Sequence, residues 1–215
     1  MFRLQLLILF IVLVLISACS SNKKIDHSAE TIHVESEMTI AHSDLFPITG
    51  SHEFLSLRLV KGNYSEDWSP SPYTGRTWRG DFQLILSYEN GKEISHIDLN
   101  NYFNNEELIF NDFFEFVFDD YNGDHEIDFT IGQYGTSNGN FYKIFTLTSD
   151  KQIQEVNIAE NNELFVSGGN RYSIQLEKIN NQSFKVRHYN NVAGQYIDEI
   201  YTSDGNKFNK NTNED

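Results

Sequence analysis

Asp120-Tyr121-Asn122-Gly123-Asp124-His125-Glu126-Ile127-Asp128 carries oxygen-bearing side chains at its first, third, fifth and ninth places. Two apolar, strand-like segments bracket it, 114–118 with Phe114, Phe116 and Phe118, and 129–131 with Phe129 and Ile131. Alternate residues of a tight turn point their side chains toward one centre, and Gly123 lets the chain bend sharply. A hard cation such as calcium takes about six to eight oxygens at short range from a backbone able to curl around it. The expected ligands are therefore Asp120, Asn122, Asp124, the backbone carbonyl of Glu126 and the carboxylate of Asp128. Carboxylates this close repel one another unless a cation sits between them. The other reading is a solvated turn rich in Asp and Asn, with no metal. Softer metals are disfavoured, because the cluster offers oxygen and no thiol.

The spacing resembles the Asp-x-Asn-x-Asp-Gly-x-x-Asp loops of FG-GAP and VCBS-type repeats, and the run Phe129-Thr130-Ile131-Gly132 that follows is similar as well. The resemblance covers residues 114–147 and implies a calcium-binding loop between two strands. It occurs clearly once, so it does not imply a full propeller. His125 stands where that family prefers Gly, which adds a backbone cost to the turn. No bidentate Glu follows at a twelfth place, as an EF-hand requires.

Period-two patterning extends in both directions from this loop. Leu55, Leu57 and Leu59 alternate with Ser56 and Arg58, and Phe82, Leu84, Leu86 and Tyr88 repeat the pattern. Asn90-Gly91 marks a tight hairpin turn that leads back through Ile97 and Leu99. Residues 100–109 suit a helical turn or a loop. The stretch 132–139 reads as a turn-rich connection. Segments 141–147 and 153–158 predict a second hairpin around Ser149-Asp150-Lys151. Tyr172, Ile174 and Leu176 alternate, as do Phe184, Val186 and His188, with Asn180-Asn181 between them, and 196–201 and Phe208 close the pattern. No stretch sustains a helical period. The expected fold is all-β: one antiparallel domain of successive hairpins, a sandwich or a partial propeller, over residues 45–208. A frayed tail is expected over 209–215.

Residues 62–80 interrupt the alternation. They hold Trp68, Tyr73 and Trp78 with Pro70, Pro72, Arg76 and Arg79, and read as a long irregular loop. Two roles are open: an aromatic platform for a sugar or peptide, or a lid in which both Trp side chains fold back over the core.

At the other end, Arg3 precedes an almost unbroken apolar run over 4–16, which ends in Ile16-Ser17-Ala18-Cys19. That run is short for a membrane span and suits the core of a signal peptide. Small residues directly before the lone cysteine resemble a bacterial lipobox. The resemblance implies a signal peptide over 1–18, cleavage after Ala18 and lipid on the Cys19 sulfur. Each buried methylene of such a chain contributes about 0.8 kcal/mol to membrane attachment. Residues 19–44 are expected to be a polar tether, with a hint of a strand at Ile32, Val34 and Ile40.

The chain has 215 residues, one cysteine and a formal charge of -15. One cysteine excludes an internal disulfide. The charge makes nucleic acid a poor partner and favours cations or a basic surface. No zinc-protease motif, nucleophile elbow, P-loop or dinucleotide fingerprint is present. The reading that results is a lipid-anchored protein on the extracytoplasmic face of a membrane, with a Gram-positive envelope favoured by the Asn-, Lys-, Ile- and Phe-rich composition. It is a non-catalytic binding module with a structural calcium ion and a protein or glycan partner. The alternatives are a glycan hydrolase with carboxylates near the 62–80 loop, whose paired acids would stand about 5 to 9.5 Å apart, and an inhibitor of a basic partner.

Overall fold

Two long strands bend, and each serves two neighbours on its outer edge. The computed structural model describes residues 31–211. The expected signal peptide, Cys19 and the first part of the expected tether lie outside those residues, as do residues 212–215. β3 (Glu53–Asp67) and β4 (Gly75–Tyr88) form one hairpin, paired from Glu53↔Tyr88 to Asp67↔Gly75 with a register shift between Leu59 and Lys61. Beyond the shift, Gly62 faces Gly80. A methyl group at Gly80 would lie 2.1 Å from the Lys61 carbonyl oxygen, so the two backbones meet there without side chains. β1 (Thr31–Val34) pairs with the far half of β3 and β2 (Met38–Asp44) with its near half. On β4, β5 (Glu93–Asp98) pairs with the near half and β6 (Leu108–Phe110) with the far half.

The second sheet has nine strands. Along it run β12 (Glu177–Asn180), β13 (Ser183–Asn190), β14 (Gln195–Ser203), β15 (Lys207–Lys210), β10 (Ile153–Ile158), β9 (Gly139–Leu147), β8 (Ile127–Thr136) and β7 (Phe118–Asp119). β11 (Leu164–Val166) pairs with the first half of β9. Pairing is antiparallel except between β10 and β15. Among the described residues, one helical turn, α1 (Phe46–Thr49), and a 3-10 turn (Leu99–Tyr102) complete the structure. The fold is all-β, built largely from antiparallel hairpins, as the alternation predicts.

The β8–β9 hairpin is buried on both faces. Phe129, Ile131, Phe145 and Leu147 join the first sheet's leucines and Phe82 in one core. Tyr142 and Ile144, on the opposite face, join Tyr121, Phe184, Val186, Tyr201 and Phe208 in a second. A hairpin serving two cores reads as nearly continuous apolar sequence rather than clean alternation. Pairing with β9 carries the ladder on past this core, so 132–139 is strand as far as Thr136 and not the turn-rich connection expected.

Other boundaries also differ from the sequence reading. The tether does not reach residue 44: β1 and β2 belong to the first sheet, with Ile40 and Ala41 buried. Most of 62–80 is strand, and the loop shrinks to 68–74, because Tyr64, Thr77 and Trp78 extend the ladder. Segment 114–118 is mostly irregular, with Phe114 forming a single parallel bridge to Ala41. β15 runs to Lys210, so the expected tail starts too early. Tyr172, Ile174 and Leu176 point inward as expected but form no ladder strand. Their segment is pinned to β8 by Gly132 N–H donating to the Tyr172 carbonyl (2.9 Å) and Ile174 N–H donating to Thr130 Oγ1 (2.8 Å).

Gly132 makes that docking possible, since a methyl group there would lie 2.1 Å from the Arg171 carbonyl oxygen and 2.5 Å from the Tyr142 ring. Gly132→Ala is expected to lower the unfolding free energy by about 3 kcal/mol in urea denaturation, as an overpacked interior site. A loss below about 1 kcal/mol would show that the 171–176 segment does not press on β8.

Candidate functional site

The acidic loop connects β7 to β8, with Phe118 opposite Phe129 and Asp119 opposite Asp128 at its base. Its inner geometry is a chain of side-chain-to-backbone bonds. Asp120 accepts from Gly123 N–H through Oδ1 (2.7 Å) and from His125 N–H through Oδ2 (3.1 Å). Asn122 Oδ1 accepts from Asp124 N–H (3.2 Å), and Asp124 Oδ1 accepts from Glu126 N–H (2.9 Å). The Asn122 amide also donates to Asp124 Oδ2 at 2.6 Å. Gly123 and His125 both take positive φ, 78° and 69°. The His125 side chain is 95 % exposed, so the residue stands here without packing strain although Gly would suit the backbone better.

Two side chains tie this loop to the protein. Tyr121 is fully buried in the second core, and its hydroxyl oxygen accepts from Leu176 N–H (3.1 Å). Burial pushes that phenol up to about 12. Asp128 is 0 % exposed. Its Oδ2 accepts from Tyr121 N–H (2.8 Å), while its Oδ1 is buried with no hydrogen-bond partner. Burial raises the Asp128 carboxyl to about 7; the Tyr121 N–H offsets part of this, and the nearby Asp124 and Asp120 carboxylates add to the rise. Thr146, opposite Asp128 in the ladder, also lowers it somewhat, though its hydroxyl forms no hydrogen bond of ordinary geometry.

A ring of polar contacts holds the outside. Lys178 bridges Asp119 Oδ1 (2.9 Å) and the Asp120 carbonyl (2.6 Å), and Gln175 donates to Asp119 Oδ2 at 2.5 Å. Burial opposes ionisation of Asp119, but the Lys178 ammonium, with Asp120 N–H and the Gln175 amide, holds its carboxyl below the usual value. Glu126 turns its carboxylate outward to Ser149 N–H (2.9 Å), so its backbone carbonyl is the donor it can offer the loop.

Among the described residues no three His, Cys, Asp or Glu side chains already stand at metal-binding geometry. The loop carboxylates instead accept backbone N–H bonds, each using part of an oxygen's lone-pair capacity. The unpartnered Oδ1 of Asp128 is the observation that bears on fit. A buried acceptor left unpaired costs about 1–3 kcal/mol, more when charged, and a proton or a cation removes that cost. The oxygen chemistry of the loop is that of a hard-cation site, and a proton on Asp128 would satisfy the same atom.

Comparison with protein-family models, curated proteins and solved structures finds no significant match. Geometry and chemistry alone carry the reading of this site.

The three aromatics expected to form a ligand loop do not come together. Trp78 is 2 % exposed, packed against Tyr64 and Phe113, and so follows the lid reading. Trp68 is 70 % exposed at the hairpin tip. Tyr73 faces two guanidinium groups, Arg79 at 5.5 Å and Arg171 at 5.4 Å from its ring centre. Beside it lies an open cleft of about 370 Å³ lined by Pro72, Tyr134, Asn138, Asn140, Gly168 and Arg171 among others, with no Asp or Glu.

Sequence reasoning missed a smaller cavity of about 190 Å³, where Glu160, Glu163, His188, Glu199, Tyr201 and Lys210 gather. Lys210 donates to Glu199 Oε1 (2.6 Å) and the Tyr201 hydroxyl to Glu199 Oε2 (3.0 Å). Burial pushes the Glu163 carboxyl up. Period two along β13 and β14 places His188, Glu199 and Tyr201 on one face, but only the register Val186↔Glu199 and Tyr201↔Lys210 unites them.

With a chelator present, Asp128 makes stability depend on pH. Its carboxyl stands at about 7 in the fold against 3.8 in the open. Between those values the folded chain binds more protons than the unfolded one, so stability falls as pH rises through that window, by about 4 kcal/mol at the limit. Denaturation in urea at acid and neutral pH should show this fall in the wild type relative to Asp128→Asn, which cannot ionise there. Parallel pH profiles of the two proteins would remove the buried carboxyl from the account.

Proposed function

We propose that this chain is a lipid-anchored, extracytoplasmic binding module in which one calcium ion stiffens the 120–128 loop. The supporting observation is Asp128, a fully buried carboxyl with one oxygen unpartnered, at the closing position of an oxygen-rich loop. Asp120, Asn122, Asp124, the Glu126 backbone carbonyl and Asp128 would hold the ion. Its positive charge would offset the mutual repulsion of three carboxylates. The role is structural: the loop joins β7 to β8 and carries Tyr121 into the second core. Extracellular calcium modules work at affinities of about 0.1 to 1 mM, which suits a site facing outside the cell.

Attachment rests on the 1–18 segment and Cys19. The partner is a protein or glycan met outside the membrane. A chain of charge -15 is a poor candidate for nucleic acid. The glycan-hydrolase reading gains nothing from the cleft beside the 68–74 loop, whose lining lacks the two carboxylates that reaction needs.

Calcium should raise the thermal midpoint of the wild type, because an ion that binds only the folded state stabilises by mass action. At about ten times the dissociation constant the gain is about 1.4 kcal/mol. Asp124→Ala should respond much less, and equal responses in differential scanning calorimetry would eliminate the ion. For the anchor, Cys19→Ala should move the protein from the membrane fraction to the soluble fraction and abolish labelling by radioactive fatty acid. Retention of the variant on membranes would defeat the lipid assignment.

A further inference from the structure

Register places the end of the chain nearest the anchor beside the tip of the long hairpin. Thr31 pairs with Ser65 and Ile32 with Tyr64, so the described chain begins a few residues from the 68–74 loop. The twelve peptide links from Cys19 to Thr31 span at most about 40 Å by any path. Lipid on Cys19 would therefore hold this end of the domain close to the bilayer and raise its local concentration there.

The surface at this end suits an interface of water and lipid. Trp68 is 70 % exposed, and Ile32 and Phe113 are exposed nearby, Phe113 packing on Trp78. Trp is the side chain most at home at headgroup level, where an apolar ring and a polar N–H are both satisfied. Segment 62–80 holds two acids, Glu66 and Asp67, and two bases, Arg76 and Arg79, and so sums to zero in a chain of -15. An anionic membrane repels a net-neutral segment far less than it repels the chain as a whole.

The tip is also firmly held. Thr74 Oγ1 lies 2.8 and 2.9 Å from the Ser69 and Ser71 carbonyl oxygens, which share its one hydroxyl proton, and it accepts from Ser71 N–H (2.9 Å). Asp67 Oδ1 accepts from Ser69 N–H at 2.8 Å. Arg171 braces the loop against the second sheet: its Nη1 donates to the Pro72 carbonyl (2.7 Å), and its guanidinium lies 5.4 Å from the centres of both the Tyr73 and Tyr134 rings, which meet edge-on. The Trp68 ring stands over Gly75. A ring fixed outward costs little further order on insertion.

We propose that the β3–β4 hairpin tip is a membrane-contact element, with Trp68 seated among the lipid headgroups. The proposal rests on attachment through Cys19, and the two are tested separately. The single cysteine allows the chain starting at Cys19, which contains every described residue, to be coupled to a maleimide-headgroup lipid. This coupling holds whether or not a cell lipidates that residue. The coupled protein is placed on phosphatidylcholine–phosphatidylglycerol vesicles that carry brominated acyl chains, which quench indole fluorescence at short range. The wild type is expected to lose a large part of its Trp emission on brominated vesicles relative to unbrominated ones. Trp68→Phe should lose almost none, because the remaining Trp78 is buried in protein. Aqueous iodide should quench Trp68 severalfold less in the vesicle-bound protein than in the uncoupled one. Equal emission on both kinds of vesicle, or undiminished iodide quenching, would overturn the contact while leaving the anchor untouched. Failure of the fatty-acid labelling would overturn the anchor alone.

Discussion

The β8–β9 ladder is the constraint on which the rest depends, because both its faces must be covered by apolar groups at once. Phe129, Ile131, Phe145 and Leu147 need the first sheet, and Tyr142 and Ile144 need the far strands of the second. Neither half of the molecule completes its core without this hairpin. A fully buried aromatic or aliphatic side chain contributes roughly 1.5–3 kcal/mol, so these six residues outweigh any single polar contact between the halves. The polar contacts between the sheets set the fit. Lys151 meets Glu53 at 2.8 Å, Ser95 Oγ donates to the Lys151 carbonyl (2.6 Å), and Ile109 N–H donates to Gln133 Oε1 (3.0 Å).

Asp128 is one of four buried polar residues in this wall, with Thr130, Lys143 and Thr146, and it is the buried carboxyl among them. It lies on the face of β8 toward the second core, opposite Thr146, at the point where the strand emerges from the acidic loop. A residue needed only for packing there would be aliphatic. A residue needed only for solvation would be exposed. A carboxyl that is buried, bonded at one oxygen to Tyr121 N–H and without a partner at the other calls for a proton or, as proposed above, a cation. Tyr121 couples the two environments, since its backbone bonds Asp128 while its hydroxyl oxygen accepts from Leu176 N–H in the docked 171–176 segment.

How much of this was legible in the sequence depended on whether a pattern was local. Alternation at Leu55, Leu57 and Leu59 and the Asn90-Gly91 turn each lie within one hairpin, and both stand as expected; Gly91 takes a φ of 78°. The loop between two strands was readable too, because Asx turns are set by neighbours within a few residues. Trp68 and Trp78 were not separable, since both lay in a stretch read as a loop, where nothing local says which ring finds a cover. Phe113 supplies that cover for Trp78, and Phe113 is remote in sequence. Tyr172, Ile174 and Leu176 illustrate the converse: inward side chains at period two came without a ladder, because Gly132 and Thr130 met their backbone instead. The cluster at His188 depends on a pairing between three strands that no single segment announces.

The two ends of the molecule differ in chemistry, and β8 measures the distance between them. One end of that strand carries Asp128 and the acidic loop, where Glu126 bonds the 149–151 turn. Tyr134, toward the other end, stacks on Arg171 beside the hairpin tip. Six residues of extended chain separate Asp128 from Tyr134, roughly 20 Å. The long hairpin runs the same way, from Glu53 near Lys151 to Asp67 beside Trp68. Net-neutral, aromatic surface thus gathers where the proposed anchor would arrive, and the acidic loop lies at the opposite end. Under the proposed attachment at the first end, the acidic loop would be turned away from anionic headgroups, which would otherwise repel its carboxylates. The proposed calcium-stiffened loop would then be the part of the domain farthest from the bilayer, open to a partner approaching from solution.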